Sequence, residues 1–339
     1  MGEGAVVGTN APTLLTGATG FVGSAVARAL VARGHRLRVL VRPTSDRRNL
    51  AGLDVEPVVG DLTDPASLAR PAEGCRYVVH VAADYRIWVP DRDVMRRANI
   101  DGTVAMLRAA ETAGAERIVY CSSVAALGLT ADGTPADETT PVDPAALVST
   151  YKRSKYEAEL AALELARQGA PVVIVNPAAP VGPRDIKPTP TGRMIQDAAA
   201  GRTPAYVDTG LNIVHVDDVA DGHMLALERG RVGERYILGG ENLTLRDLLT
   251  LIAQVVGHRP PAIRLPLPAL WPVALAMEAV GRVSRFEPRV TRDTLRMARK
   301  KMFFSSAKAM GELGYAPRPA ARAVEDAVAW LRAEGRLRG

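Results

Sequence analysis

Thr13-Leu14-Leu15-Thr16-Gly17-Ala18-Thr19-Gly20-Phe21-Val22-Gly23 is the stretch on which the fold turns. A short apolar run enters a turn with glycines at 17, 20 and 23, and Phe21 opens a segment of helical period reaching Arg33. A strand, a glycine turn and a helix N-terminus form a pyrophosphate cradle. Glycines let the backbone approach the phosphates, and the N–H groups and dipole of the helix favour their charge. The predicted phosphate-side residues are Gly17, Thr19, Gly20, Phe21, Val22 and Gly23.

Outward from this stretch, β-branched runs alternate with Ala/Leu/Arg segments. Strands are predicted at Thr13–Thr16, Arg36–Val41, Val55–Val58, Tyr77–Val81, Arg117–Cys121 and Val172–Val175. Helices are predicted at Phe21–Arg33, Pro65–Arg70, Asp91–Ala113 and Ser149–Gln168, with Gly34 and Gly114 closing two of them. Such alternation implies βαβ units, and right-handed crossovers make a doubly wound parallel Rossmann sheet the economical α/β topology. After Pro177 the pattern becomes irregular. Helices at Leu245–Val256, Leu270–Arg282 and Ala320–Arg332, with strands at Ile213–Val216 and Arg235–Leu238, suggest a smaller, mostly helical C-terminal substrate domain. The expected division is a flexible 1–12, a dinucleotide-binding domain over 13–177 to which the chain returns near 211–230, and a mainly substrate-binding domain over 178–339.

Composition agrees with an ordinary globular chain: 339 residues, 47% hydrophobic and 24% charged, which excludes a disordered or collagen-like protein. The net charge of +6 is spread along the chain apart from small clusters at Arg47-Arg48 and Arg299-Lys300-Lys301. That distribution argues against nucleic-acid binding and suits an anionic small molecule. Met1 to Gly4 lacks the pattern of a signal peptide, and no apolar run reaches the ~18 residues of a transmembrane segment. Leu265 to Val280 comes nearest and has two readings: helix packing or a dimer contact, and a greasy lid or peripheral lipid contact. Cys75 and Cys121 are expected to lie too far apart for a disulfide, in a reduced, cytoplasmic protein.

The second strand of such a sheet normally ends in a carboxylate for the ribose of NAD. Here Val41 and Arg42 stand there. A guanidinium at that place predicts a preference for NADP(H), with NAD(H) as the alternative and Ser45 and Arg47 as helpers. Asp61 and Leu62 follow the third strand, where adenine would lie, and Ala82 and Ala83 leave room beyond the fourth. Tyr151 and Lys155 share one helix face at i and i+4. A nearby ammonium and an oxidised nicotinamide ring favour the phenolate and would draw Tyr151 toward working pH as acid/base, while Lys155 could also anchor the nicotinamide ribose. Ser123, after the fifth strand, would hold the reacting oxygen. His80 reads as a core residue. His215 with Asp217 and Asp218 reads as a helix start capped by Asp217 rather than as a metal site.

The run Thr16 to Gly23, Ser123, Tyr151 with Lys155, Asn176-Pro177 and His215-Val216-Asp217-Asp218 resembles the extended short-chain dehydrogenase/reductase superfamily (NAD-dependent epimerase/dehydratase) over nearly the whole chain. More narrowly, Ala83 to Trp88, Gly182 to Gly192, Tyr206 to Asp218 and Lys300 to Lys308 are similar to the hopanoid-associated sugar epimerase family. The region around Val41-Arg42 looks like dihydroflavonol-reductase-like enzymes, which use NADPH. The resemblance implies that Asn99 lines the cofactor side, that Pro177, Ala178 and Pro180 present backbone to the nicotinamide carboxamide, and that the protein is a homodimer through the 91–113 and 149–168 helices. Val124-Ala125 stands where dehydratases of the superfamily carry Asp-Glu, and Val124 where epimerase-reductases carry Cys. Hydride transfer remains, as 4-epimerisation of a sugar or sugar-like substrate, free or lipid-linked, or as reduction of a ketone or aldehyde. A dinucleotide-sensing protein without catalysis is the third reading. Asp84, Tyr85, Arg86 and Trp88 after the fourth strand, and Lys187 and Arg193 on the Pro-rich loop with Asp185, are the candidate substrate residues.

Overall fold

The structure, a computed structural model, describes residues 11–84, 92–147, 149–284 and 291–337. Its first half runs β1 (Thr13–Thr16), α1 (Phe21–Ala32), β2 (Leu37–Val41), β3 (Glu56–Val59), α2 (Ala69–Ala72), β4 (Tyr77–His80), α3 (Arg92–Arg96), α4 (Gly102–Thr112), β5 (Arg117–Cys121), α5 (Thr150–Arg167) and β6 (Val172–Pro177). It continues through β7 (Ala179–Val181), α6 (Pro190–Ala199), β8 (Ala205–Tyr206), β9 (Gly210–His215), α7 (Val216–Arg229), β10 (Arg235–Leu238), β11 (Glu241–Thr244) and α8 (Leu245–Val256). The last elements are β12 (Ile263–Arg264), α9 (Trp271–Ser284), α10 (Arg292–Met297), α11 (Ala307–Leu313) and α12 (Ala320–Ala333).

The main sheet is parallel, in the order β10-β6-β5-β4-β1-β2-β3. Its central strands are buried on both faces, as a sheet covered by helices on each side requires. Leu15, Val39, Val79, Val119 and Val173 pack on the layer that contains α1 and α7. Leu14, Leu40, Val78, Ile118 and Ile174 pack on the opposite layer with α4 and α5. β3 is the edge strand. Its burial alternates, Val59 is 62% exposed, and Pro57 is tolerated because one side carries no further strand. A separate core of Ile195, Leu248, Leu249, Ile252, Val324 and Val328 joins α6, α8 and α12. Small sheets β11-β9-β7 and β12-β8 accompany it.

Several expectations need correction. The helix at Pro65–Arg70 is a 3-10 turn at Pro65–Ser67 followed by the short α2, because Pro71 cannot donate to a continuing ladder. The predicted helix over 91–113 is interrupted by a π turn at Arg97–Asp101, and Asp91 lies outside the described residues. The chain's return to the main sheet extends beyond 230: β10 pairs with β6, and α11 packs against β10 and α7. Gly34 and Gly114 close their helices at φ +77° and +75°, which glycine adopts at no steric cost. Both cysteines are buried and free. Among the described residues, no helix is long and apolar enough to cross a membrane.

Candidate active site

The cradle after β1 is shaped by close approach. Gly17 sits at φ +75°, and a Cβ there would stand 2.7 Å from the Ala82 nitrogen. A Cβ on Gly23 would stand 2.0 Å from the Gly17 carbonyl oxygen. Thr16 Oγ1 accepts from the backbone N–H groups of Val81 and Ala82 at 3.2 and 3.1 Å, so β1 and the end of β4 are stitched at this edge. Gly20 caps α1 without any side-chain hydrogen bond, which leaves the helix start to an outside anion. Thr19 is held through its carbonyl, which accepts from Asn49 at 3.2 Å. These residues fit a dinucleotide pyrophosphate.

Val41 is buried at the end of β2, and Arg42 beyond it is exposed. Ser45 Oγ accepts from the Arg42 N–H at 3.0 Å, so the serine shapes the turn that presents the arginine. Asp61 holds a local turn by accepting from the Thr63 N–H and Oγ1, both at 2.8 Å. These bonds lower its pKa despite burial, with a smaller contribution from the Arg42 charge. Leu62 packs its main chain against Gly102, whose Cβ would stand 2.7 Å from the Leu62 oxygen. Lys187, expected on the substrate side, acts electrostatically on Asp46 in the loop after β2. Asp46 is held at about 2, chiefly by Arg48.

The three residues expected to be catalytic, Ser123, Tyr151 and Lys155, gather where β5 and α5 meet. Ser123 ends the extension of β5 and caps a 3-10 turn at Val124–Ala126, its Oγ accepting from the Ala125 N–H at 3.1 Å. Tyr151 is in the first turn of α5, whose N-cap Ser149 accepts from the Lys152 N–H at 3.1 Å. Ser123 and Lys155 both lie near enough to the Tyr151 hydroxyl to act on it. Burial raises the Tyr151 pKa, and Lys155 and Ser123 only oppose that rise. Of the two groups expected to draw Tyr151 toward working pH, the ammonium by itself is outweighed by desolvation of the phenolate. Lys155 is buried and donates to the Cys121 carbonyl at 2.9 Å and to Tyr120 Oη at 3.3 Å, with its Nζ 4.9 Å from the Tyr120 ring centroid.

Behind the trio lies a polar network that the sequence did not reveal. Asn176, at the end of β6, donates from Nδ2 to the Ser123 carbonyl at 3.1 Å and to Glu159 Oε2 at 2.6 Å. Glu159 is 2% exposed and pairs with Arg235 of β10 at 3.1 Å. Arg235 also donates to the Glu138 carbonyl, and Glu138 Oε1 accepts from the Ile237 N–H. The one available signal was spacing: Glu159 is eight residues past Tyr151 and four past Lys155, on the same helical face.

Asn99 projects from the π turn and spends its amide on the loop after β4. Oδ1 accepts from the Asp84 N–H at 2.6 Å, and Nδ2 donates to the Asp84 carbonyl at 2.8 Å and to Ser154 Oγ at 3.0 Å. It is a buried clamp rather than a helix-surface residue. Tyr85, Arg86 and Trp88 lie outside the described residues. Pro177 and Ala178 are buried at the end of β6 and just after it, and Pro180 lies in β7; Ala178 N–H donates to the Leu238 carbonyl at 3.1 Å. Arg193 donates to the Pro188 carbonyl at 3.3 Å. Asp185, on the loop between β7 and α6, is buried and accepts from the Thr189 N–H and Oγ1. His80 is fully buried between Thr16 and Thr103, and burial lowers its pKa to about 3. Asp217 is not the cap of α7. His215 is, its Nδ1 accepting from the Asp217 N–H at 3.0 Å, while its Nε2 faces Asp326 at 3.2 Å.

The model of the NAD dependent epimerase/dehydratase family matches residues 13–239, from β1 through the end of β10. The chain belongs to this family, within the extended short-chain dehydrogenase/reductase superfamily. It is 43% identical over 329 residues to a Synechocystis sp. protein provisionally named dihydroflavonol 4-reductase, covering 95% of this chain and 94% of that protein. The crystal structure of gox2253 superposes with a TM-score of 0.88 at 62% identity, covering 97% of this chain and 100% of that one. A structure described as a nucleoside-diphosphate-sugar epimerase from Pseudomonas aeruginosa, PA4631, superposes with a TM-score of 0.79 at 30% identity, covering 97% and 100%. The family is one of NAD-dependent enzymes that act on small molecules.

Proposed function

We propose that the protein transfers hydride between a nicotinamide dinucleotide and a carbinol or carbonyl carbon, working as a ketone or aldehyde reductase with a preference for NADP(H). The observation that carries this reading is the convergence of Ser123 at the end of β5, Tyr151 of α5 and the buried Lys155, whose ammonium is held by the Cys121 carbonyl of the same strand. Gly17, Gly20 and Gly23 hold the pyrophosphate, and Arg42, with Arg47 and Lys187 on the same side, meets the 2′-phosphate. The dinucleotide supplies or accepts the hydride. Ser123 hydrogen-bonds the substrate oxygen. Tyr151, kept as a neutral phenol by burial, donates a proton to that oxygen as the carbonyl is reduced, and accepts it back in the reverse direction. Lys155 stabilises the transient phenolate. Asn176 and Glu159 fix the backbone of Ser123 from behind.

Val124 and Ala125 offer no carboxylate next to Ser123, which argues against dehydration. The reductase name of the Synechocystis relative and the raised Tyr151 pKa favour net reduction. The epimerase description of the Pseudomonas structure supports a second reading, 4-epimerisation of a sugar-like substrate through a transient ketone, as in the hopanoid-associated family. The substrate domain is assigned to residues 178–339 outside the return to the main sheet, the assembly to a homodimer through the 91–113 and 149–168 helices, and the compartment to the cytoplasm. The deciding experiment releases the bound dinucleotide by denaturation, identifies it, and titrates NADPH and NAD+ into the stripped protein. Exchangeable NADPH bound much more tightly than NADH supports the reductase. Tightly retained NAD+ refutes it in favour of epimerisation.

A further inference from the structure

Helix α9 has its polarity reversed. Its carboxylate, Glu278, turns inward, where it accepts from the Arg292 N–H at 2.7 Å and pairs with the Arg292 guanidinium at 2.9 Å. Its outward arc carries Pro272, Val273, Leu275, Ala276 and Ala279, and Val273 and Leu275 are 46% and 51% exposed. A helix lying between a core and water shows the opposite arrangement. The apolar strip continues through the preceding turn, Leu267–Leu270, where Pro268 and Ala269 are exposed.

Cations border this strip. The guanidinium groups of Arg296 and Arg299 lie 6.0 and 5.8 Å from the Trp271 ring centroid. Lys300 and Lys301 follow directly, and Arg299, Lys300 and Lys301 are all exposed. An apolar helix face edged by an indole and by consecutive long cations has the chemistry of the lipid headgroup layer. The rings and alkyl stems reach the acyl boundary while the charges remain among phosphates.

We propose that this face docks the protein on an anionic lipid bilayer, with Val273 and Leu275 entering the headgroup–acyl boundary and Arg296, Arg299, Lys300 and Lys301 meeting lipid phosphates. Charge complementarity selects this occupant. In a two-fold contact between copies the same patch meets itself, which would bring together rims that stay net positive, since Asp293 on Arg296 offsets only one of the charges of Arg296, Arg299, Lys300 and Lys301. Docking goes beyond the proposed reaction and does not depend on it. It does bring the catalytic helix toward the lipid, because Lys152, next to Tyr151, reaches Met302 Sδ at 3.6 Å, directly after the Arg299–Lys301 run.

The test is co-sedimentation of the full chain with vesicles of phosphatidylcholine alone and of phosphatidylcholine with phosphatidylglycerol, at low and high salt. NADPH binding is measured by calorimetry on the same samples. Binding is expected only to the phosphatidylglycerol vesicles, weakened by salt. The double variant Val273→Asp/Leu275→Asp should lose it. Arg299→Glu/Lys300→Glu should weaken it on the order of 100-fold, since each cation near an anionic surface contributes about tenfold or less. Both variants should keep the parent melting temperature and NADPH affinity, as the changed side chains are exposed and outside the cradle. Absence of binding to phosphatidylglycerol vesicles overturns the proposal, as does binding that both variants retain. A dimer in light scattering that Leu275→Asp dissociates also overturns it, by assigning the face to a second copy. Failure of NADPH binding with intact docking would count against the reaction and leave this inference standing.

Discussion

Lys155 donates to the carbonyl oxygen of Cys121 at 2.9 Å. Cys121 ends β5, two residues before Ser123, so one strand positions both the ammonium and the serine. The lysine is seated by the sheet rather than by its helical neighbour Tyr151. Its charge acts on the phenol from a buried position, where electrostatic effects are strongest.

Tyr151→Phe should lower turnover by about 10²-fold or more, because it removes the proton donor and leaves binding intact. Steady-state assays with calorimetric cofactor binding check this. A near-normal rate would remove Tyr151 from the mechanism.

Arg42→Ala should weaken NADPH binding about 10- to 100-fold, the weight of a charge-assisted hydrogen bond to phosphate. NADH binding should change little, since that dinucleotide lacks the 2′-phosphate. Parallel titrations read the ratio, and an equal loss for both would assign Arg42 to adenine stacking.

Glu159→Ala should destabilise the fold by about 3 kcal/mol, since it strands the partly buried Arg235 and the Asn176 amide. Urea unfolding measures that loss. Glu159→Gln retains an acceptor for Asn176 and should recover part of kcat, whereas stability should remain low for want of the negative charge.

Stability should fall on mild acidification. His80 and His223 are buried, which lowers their pKa values to about 3 and about 4 from an ordinary 6.5. Both are neutral in the fold at pH 6, whereas the unfolded chain takes up protons once the pH drops below about 6.5. The unfolded state then binds more protons, so stability present above pH 6.5 is lost as pH falls toward 4. The slope approaches about 1.4 kcal/mol per pH unit for each histidine. His80→Gln should flatten the melting temperature profile between pH 6 and 4, and an unchanged slope would contradict the assignment.

Gly23→Ala should abolish dinucleotide binding, because its methyl group would overlap the Gly17 carbonyl and push the turn away from the helix start. Calorimetry with either dinucleotide reports the loss directly.

The elements most legible in the sequence were those whose cause is local. β1, β5, β10 and α8 begin and end where hydrophobic period and punctuation place them. Thr244 and Gly257 stop α8 on either side through a side-chain cap and a left-handed turn. β3 slid by one residue, to the register in which Glu56 to Val59 pair with Arg38 to Val41 of β2. β6 ran two residues past its predicted end, because β10 on its far side supplies backbone partners as far as Pro177.

Sequence by itself determined the parallel sheet, the glycine cradle and the identity of Ser123, Tyr151 and Lys155. Each follows from short-range geometry: residue period, the space a glycine leaves, and the four-residue repeat of a helix. Only the tertiary structure decided what those residues touch. Lys155 on Cys121, Asn99 on Asp84, Asn176 between Ser123 and Glu159, and His215 capping α7 join groups that are distant in the chain or depend on burial. The direction of the Tyr151 shift belongs to the same class. Spacing showed the ammonium that lowers it, but the desolvation that outweighs the ammonium exists only once α5 is packed against the sheet.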